Sequence, residues 1–279
     1  MKQQKILMLI YSFLFLSCSS IRFKEQEIDQ TQALKGSIKE MKIKKEYFNF
    51  RLDLKEKDTV SMMEEFTFVY AKNNKPKKQI EQNPKGEVEN IFSYNKDGTL
   101  KNEIVKYPQY VSRQEYKYDK KKNNFEYLQF ENDSLIIRKT KKFDSNNNPI
   151  EITFFNSKNT KSNSRVTFSY DYKARFAIYK MYDYNNKEKD RYLKYNYDRR
   201  GNIIKIETIN YNSKNPYPYY SIREYDDYDN LIKLIIVEYG GSRTINFINK
   251  YDRIGNIVTR EKFSDGKLYM KVSYQIIYY

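Results

Sequence analysis

Alternation of apolar and polar residues recurs along this chain. Leu193, Tyr195 and Tyr197 share one face of an extended segment, as do Val166, Phe168 and Tyr170, and Phe66, Phe68 and Tyr70. A period of two marks one face of a pleated strand. Each segment runs into a polar cluster, and a β-branched or apolar segment leaves it, as in 203–209 and 231–237. Each copy therefore reads as strand, corner, strand.

The aromatic that ends the entering strand recurs at Tyr70, Tyr94, Tyr118, Phe143, Tyr170, Tyr197, Tyr225 and Tyr251, at spacings of 24 to 28 residues. Even spacing of this kind signals a repeat architecture. Asp usually follows the aromatic, and Gly, Asn or Asp follows within a few residues. Asp bonds backbone amides two residues on, and Gly and Asn accept positive φ, so the cluster is a turn. The clearest copies are Tyr197-Asp198-Arg199-Arg200-Gly201-Asn202 and Tyr251-Asp252-Arg253-Ile254-Gly255-Asn256. A second turn closes each unit, at Phe155 to Asn159, Tyr184 to Lys187, Tyr211 to Asn215, Tyr239 to Ser242 and Phe263 to Gly266.

Two turns per unit predict an antiparallel meander of about sixteen strands, with a further strand near 47–54 and a last one over 272–279. The fold expected is all-β: a repeat-built meander that is extended, curled or sandwich-like. A closed barrel is the remaining architecture. The corner motif resembles the core of the RHS/YD repeat, over about residues 66–279. The resemblance implies a β-meander. The full-length RHS pattern of a hollow shell around a toxin does not transfer, because this chain is shorter, has longer units and shows no cargo domain.

The N-terminus reads as an address. Met1 to Lys5 is basic and Ile6 to Leu16 is apolar, which is too short to span a bilayer and has the length of a signal-peptide core. Phe15-Leu16-Ser17-Cys18 resembles a bacterial lipobox, which implies cleavage between Ser17 and Cys18 and lipidation of Cys18, including an acyl chain such as palmitate. Domain boundaries follow: 1–17 signal peptide, 18–45 tether, 46–279 repeat domain. Within the tether Leu34, Ile38 and Met41 fall on one helical face and predict a short helix from Asp29 or Thr31, a disordered stalk being the alternative.

The chain carries 52 Lys and Arg against 36 Asp and Glu, a net charge of +16, with 29 Tyr, one Cys, no Trp and no His. A chain starting at Cys18 loses Lys2 and Lys5 and carries +14. Lack of His excludes Ser-His, Cys-His and His-based zinc chemistry. Asp226, Asp227 and Asp229 crowd one turn, but turn hydrogen bonding accounts for them better than a metal does. Glu64 and Glu65 are the candidate half of a glycosidase carboxylate pair; as neighbours on a strand they face opposite sides. No catalytic residue, metal site or cofactor is expected.

The function expected is a non-enzymatic binding or structural role at the bacterial envelope, in a lipoprotein anchored through Cys18. The anchor makes the membrane one partner. Acidic polysaccharide, another polyanion or an envelope protein is the second; nucleic acid is not expected. Alternatives are a glycan-acting hydrolase using Asp or Glu, and an outer-membrane β-barrel. For the barrel stand the strand count and the terminal Tyr279; against it, the leaving strands carry charge on both faces, as at Lys205 with Glu207 and Arg260 with Lys262.

Overall fold

A computed structural model describes residues 34–48, 60–83, 86–121, 123–156, 162–183, 187–210, 219–238 and 240–279. Ser17 and Cys18 lie outside them, as do 157–161, 184–186 and 211–218 of the expected second turns.

Eighteen strands are present: β1 (Ile38–Phe48), β2 (Val60–Tyr70), β3 (Pro76–Asn83), β4 (Gly86–Tyr94), β5 (Leu100–Lys106), β6 (Val111–Asp119), β7 (Asn124–Glu131), β8 (Ser134–Phe143) and β9 (Pro149–Asn156), then β10 (Ser162–Asp171), β11 (Phe176–Tyr182), β12 (Glu188–Tyr197), β13 (Ile203–Asn210), β14 (Tyr220–Tyr225), β15 (Leu231–Glu238), β16 (Gly241–Tyr251), β17 (Ile257–Ser264) and β18 (Lys267–Tyr278). Every strand pairs antiparallel with its sequence neighbours, and β18 pairs with β1. The sheet is thus a closed up-and-down barrel. The eight units supply β2 to β17, and the two end strands complete the circle.

Closure corrects the open, curled or sandwich-like meander expected from sequence. The two end strands carry matching apolar faces. In register, Met41, Ile43 and Tyr47 of β1 oppose Ile276, Tyr274 and Met270 of β18, and Phe68, Phe66 and Met62 of β2. Ile38, Met41, Ile43, Phe66, Tyr70, Met270 and Val272 form one buried cluster across this seam. Two open edges would expose that cluster and two rows of unpaired backbone groups, and closure removes both.

The short helix is also corrected. Ile38 and Met41 lie in β1, inside the stretch assigned to the tether. A register shift between Ile38 and Glu40 inserts one residue, so two inward side chains stand three apart instead of two. The bulge imitates a helical spacing. From Met41 the alternation is that of a strand, through Ile43, Lys45 and Tyr47.

Register carries one set of side chains around the whole wall, and burial identifies it as the inner face. Met41, Phe66, Phe92, Val105, Tyr116, Ile152, Val166, Ala177, Leu234, Phe247, Met270 and Val272 share that face and are buried. Lys106, Lys117, Arg138 and Lys142 lie on the other face, with side chains 47–59% exposed. Side chains converge on the concave side of a curved wall and splay on the convex side. Eighteen strands at about 4.8 Å give a backbone radius of at least ~14 Å, wide enough for a lumen.

Candidate functional site

The corners all lie at one end of the barrel. In most of them the amide of the first corner residue donates to the carbonyl four residues on: Ala71 to Lys75, Asn95 to Thr99, Asp144 to Asn148, Asp198 to Asn202, Asp226 to Asn230 and Asp252 to Asn256, at 2.8–2.9 Å. Asp198 Oδ1 accepts from the amides of Arg200 and Asn202, both at 2.8 Å. Asp252 Oδ1 does the same for Ile254 and Asn256. The fourth corner residue has positive φ: Asn74, Gly98, Asn147, Gly201, Asp229 and Gly255. Only Gly, Asn and Asp tolerate this conformation readily, which is why those types recur there.

A further corner is assembled from both ends of the described chain. The Tyr279 amide donates to the Ser37 carbonyl at 2.9 Å, and Gly36 has φ +78°. Lys35-Gly36-Ser37-Ile38 thus takes the place of Arg200-Gly201-Asn202-Ile203, with Tyr278 as the anchor aromatic. The pair β18 and β1 is a split unit. Two corners differ. Asp119 to Asn124 and Asp171 to Phe176 close with the pairing uninterrupted to the last residue.

Side chains stitch corner to corner. Asn148 Nδ2 donates to Tyr172 Oη at 2.9 Å, and that hydroxyl donates to Asp144 Oδ2. Asn230, Tyr251 and Asp226 repeat this triangle, as do Asn256, Tyr278 and Asp252. Asn202 donates to Asp229 at 2.7 Å, and Arg200 pairs with the same carboxylate at 3.0 Å. Asn123 Nδ2 donates to the carbonyls of Phe143 and Asp144, and the Tyr197 amide to that of Arg175. Lys75 donates to Gly98 O, and Lys120 pairs with Asp97. The split corner is bonded on both sides: Lys35 N donates to Asn256 Oδ1, and Ile38 N to Asn74 Oδ1. The links run around the whole rim. Asn148, Asn202 and Asn256 are fully buried in it, so their amides need these partners.

The Asp residues that invite a metal or catalytic reading are therefore committed to turns. Burial pushes the Asp252 carboxyl up, but donation by Tyr278 and by the amides of Asn256 and Ile254 outweighs it and holds the group below its usual range. Among the described residues no group of three or more acidic or thiol side chains is placed to hold a metal ion. Glu64 faces inward, accepting from Tyr47 Oη at 3.1 Å, and Glu65 faces outward.

The outer face is a lattice of charge. Glu89 lies between Lys78 and Lys106, Glu126 between Lys117 and Arg138, and Glu151 between Lys142 and Arg165. Lys205 pairs with Glu207, and Lys233 with Glu224. Arg113, Arg138 and Arg165 lie over the rings of Phe130, Phe155 and Tyr182, and such stacking shields apolar surface from water.

The inner face is aromatic and its charges are segregated. Glu64, Glu81, Glu103 and Glu131 occupy β2 to β7. Lys139 and Lys141 on β8, and Arg223, Arg243, Arg260 and Lys262 on β14 to β17, occupy the remaining wall, and Lys45 on β1 meets Glu64 at the boundary at 4.0 Å. Glu103 is buried, with Tyr116 Oη 3.4 Å away, and burial pushes its carboxyl up to about 7. Arg223 is buried, with Nη1 lacking a hydrogen-bond partner. Sequence reading missed Glu103 and Arg223, since an isolated charge on an alternating strand carries no motif.

A half-open groove of about 760 Å³ lies at the rim between the Asn95 and Asp119 corners, where Tyr116 and Tyr118 meet Lys101, Lys117, Lys120 and Lys121 and the carboxylates of Asp97, Glu115 and Asp119. It joins Lys120 and Lys121 of the corner to lysines from β5 and β6.

No family model matches the chain, and no curated protein matches it by sequence. Among solved structures, a porin-like protein from Bacteroides uniformis is 11% identical at a TM-score of 0.44, with 86% of this chain and 98% of that one covered. A porin-like protein from Bacteroides vulgatus is 9% identical at 0.33, covering 68% and 93%. The TcdB2-TccC3-Cdc42 structure is 12% identical at 0.29, covering 74% of this chain and 15% of that one. These likenesses carry no functional weight; what stands is that the described residues are all-β and close into an 18-stranded antiparallel barrel.

Proposed function

We propose that this protein is a hollow, water-facing barrel of the bacterial envelope, tethered through lipidated Cys18, with a non-enzymatic binding or structural role. The observation that carries this reading is the ion-paired outer face. Glu89, Glu126, Glu151 and Glu207 sit within the strands around much of the wall, each paired with Lys or Arg. A bilayer-spanning wall needs an outward apolar band about 25 Å tall. The lipobox-like Phe15 to Cys18 supports the tether, and the YD-like corners support a scaffold role for the repeated Asp residues. The groove lined by Tyr118, with Lys101 and Lys121 beside the Asp97–Lys120 pair, supports a polysaccharide with scattered acidic groups as the ligand: tyrosine stacks on sugar rings and the two lysines meet carboxylate or phosphate.

Two measurements test it. Cys18→Ala releases the protein from the membrane fraction, and continued partitioning counts against the tether. The soluble variant is retained on heparin or lipopolysaccharide resin at low salt and elutes as salt rises; no retention removes the polyanion.

A second reading is an outer-membrane barrel, and the observation in its favour is closure with an even number of antiparallel strands. The two readings differ at Arg138, midway along β8 on the outer face. In intact membranes Arg138→Cys reacts with a water-soluble maleimide on the first reading and is protected on the second.

A further inference from the structure

Large apolar side chains stand exposed in one contiguous patch of the corner rim. Tyr228, Ile254, Ile277, Tyr278 and Tyr279 are between 37% and 55% exposed. Their contiguity is geometric. Lys35 Nζ lies 4.7 Å from the centre of the Tyr228 ring. A Cβ placed on Gly36 would come within 2.8 Å of Ile254 Cδ1 and 3.3 Å of the Tyr278 ring. Tyr279 is bonded to Ser37 beside them. Arg253 is exposed on the corner of Ile254, and Arg199 and Arg200 on the corner next to that of Tyr228, where Arg200 pairs with Asp229; Asp227 is an exposed carboxylate among them.

This patch surrounds the point where the chain enters the barrel. Leu34 and Lys35 belong to the split corner, and only residues 19–33 separate them in sequence from Cys18. The other rim also exposes apolar groups, Val60, Met62, Met63 and Val111, but the chain does not enter there.

We propose that the split-corner patch is a docking surface for an anionic lipid headgroup layer, so that the barrel stands on its corner rim with the opposite rim turned away. The proposal rests on the tether reading. Tyrosines and an exposed isoleucine beside arginine suit a membrane interface: aromatic rings settle at headgroup depth, and basic residues are drawn to anionic lipid. A tether of this length holds the rim within reach of the surface. Each short-range contact then acts at the high effective concentration that tethering supplies.

The test uses the chain's lack of tryptophan. Single tryptophans are placed by Ile254→Trp, Tyr228→Trp and, at the opposite rim, Val111→Trp in the lipidated full-length protein. Each variant is mixed with phosphatidylcholine vesicles containing phosphatidylglycerol and brominated lipid. The expected result is co-flotation of all three, with blue-shifted, bromine-quenched emission from positions 228 and 254 and neither effect at 111. Adding R199E and R253E reduces quenching at 254 while flotation persists. Flotation with equal or no quenching at both rims overturns the docking and leaves the tether standing. Failure to float overturns both. Blue-shifted emission at 254 before vesicles are added shows that the protein covers the patch itself, which also overturns the proposal.

Discussion

The amide of Tyr279 donates to the carbonyl of Ser37 at 2.9 Å, the bond that Asp198 makes to Asn202 within a single corner. Residues at opposite ends of the described chain thus form one repeat unit. The seam of the barrel follows the same rules as its other corners.

Asn256 is the amide on which that seam turns. It accepts from Lys35 N at 2.7 Å and donates to Lys35 O and Tyr278 Oη. Asn256→Ala is expected to cost about 2–3 kcal/mol, since several buried groups lose partners together. Amide exchange should quicken in β1 and β18 before other strands. Asn202→Ala, by contrast, should destabilise without preferential exchange at the seam.

The fourth corner position separates residue types by backbone conformation. Gly201 has φ +81° and Asn147 has φ +61°. Gly201→Ala should lower stability by roughly 1–2 kcal/mol, whereas Asn147→Gly should be neutral or stabilising by a few tenths. Urea midpoints of the two variants, measured side by side, check the sign of each.

Glu103 predicts a pH dependence. Its folded carboxyl is raised to about 7 by burial, above the unfolded value of 4.5. The folded state therefore holds this proton more tightly, and the contribution of Glu103 to stability is most favourable below about pH 4.5, falls between there and 7, and levels above. Glu103→Gln removes this dependence. At pH 8 the variant should be more stable than the parent by up to about 3 kcal/mol, and at pH 4 nearly equal. Denaturant melts at the two pH values decide it, and equal gains at both would sink the assignment.

The two faces should respond differently to truncation. Phe66→Ala, in the buried seam cluster, is expected to cost about 3–5 kcal/mol. Glu89→Gln, on the outer face, should change stability by less than about 1 kcal/mol, because exposed pairs are screened. Thermal unfolding of each variant measures the contrast.

Much of the wall was legible from residue pattern. The anchor aromatics, the Asp that follows them and the Gly or Asn beyond locate the strand pairs from β2 to β17, because turns are encoded locally. Closure was not legible. It depends on pairing between residues more than two hundred positions apart, such as Ile43 with Tyr274. Its one local sign, Lys35-Gly36-Ser37-Ile38 as a copy of Arg200-Gly201-Asn202-Ile203, was hidden because the matching aromatic, Tyr278, stands at the other end of the chain. The bulge at Ile38 added a helical spacing that concealed the strand. Glu103 and Lys262 were plain charges on alternating strands, and only the curvature of the wall makes them buried.

The split corner has a consequence for how the chain could be cut and rejoined. A peptide bond from Tyr279 to Leu34 would write Tyr279-Leu34-Lys35-Gly36-Ser37 in the register of Asp198-Arg199-Arg200-Gly201-Asn202. New ends opened between Arg199 and Arg200 would then leave every strand pairing in place. The barrel is a cycle of repeated segments, and its gene order is one of several linear spellings of the same circle.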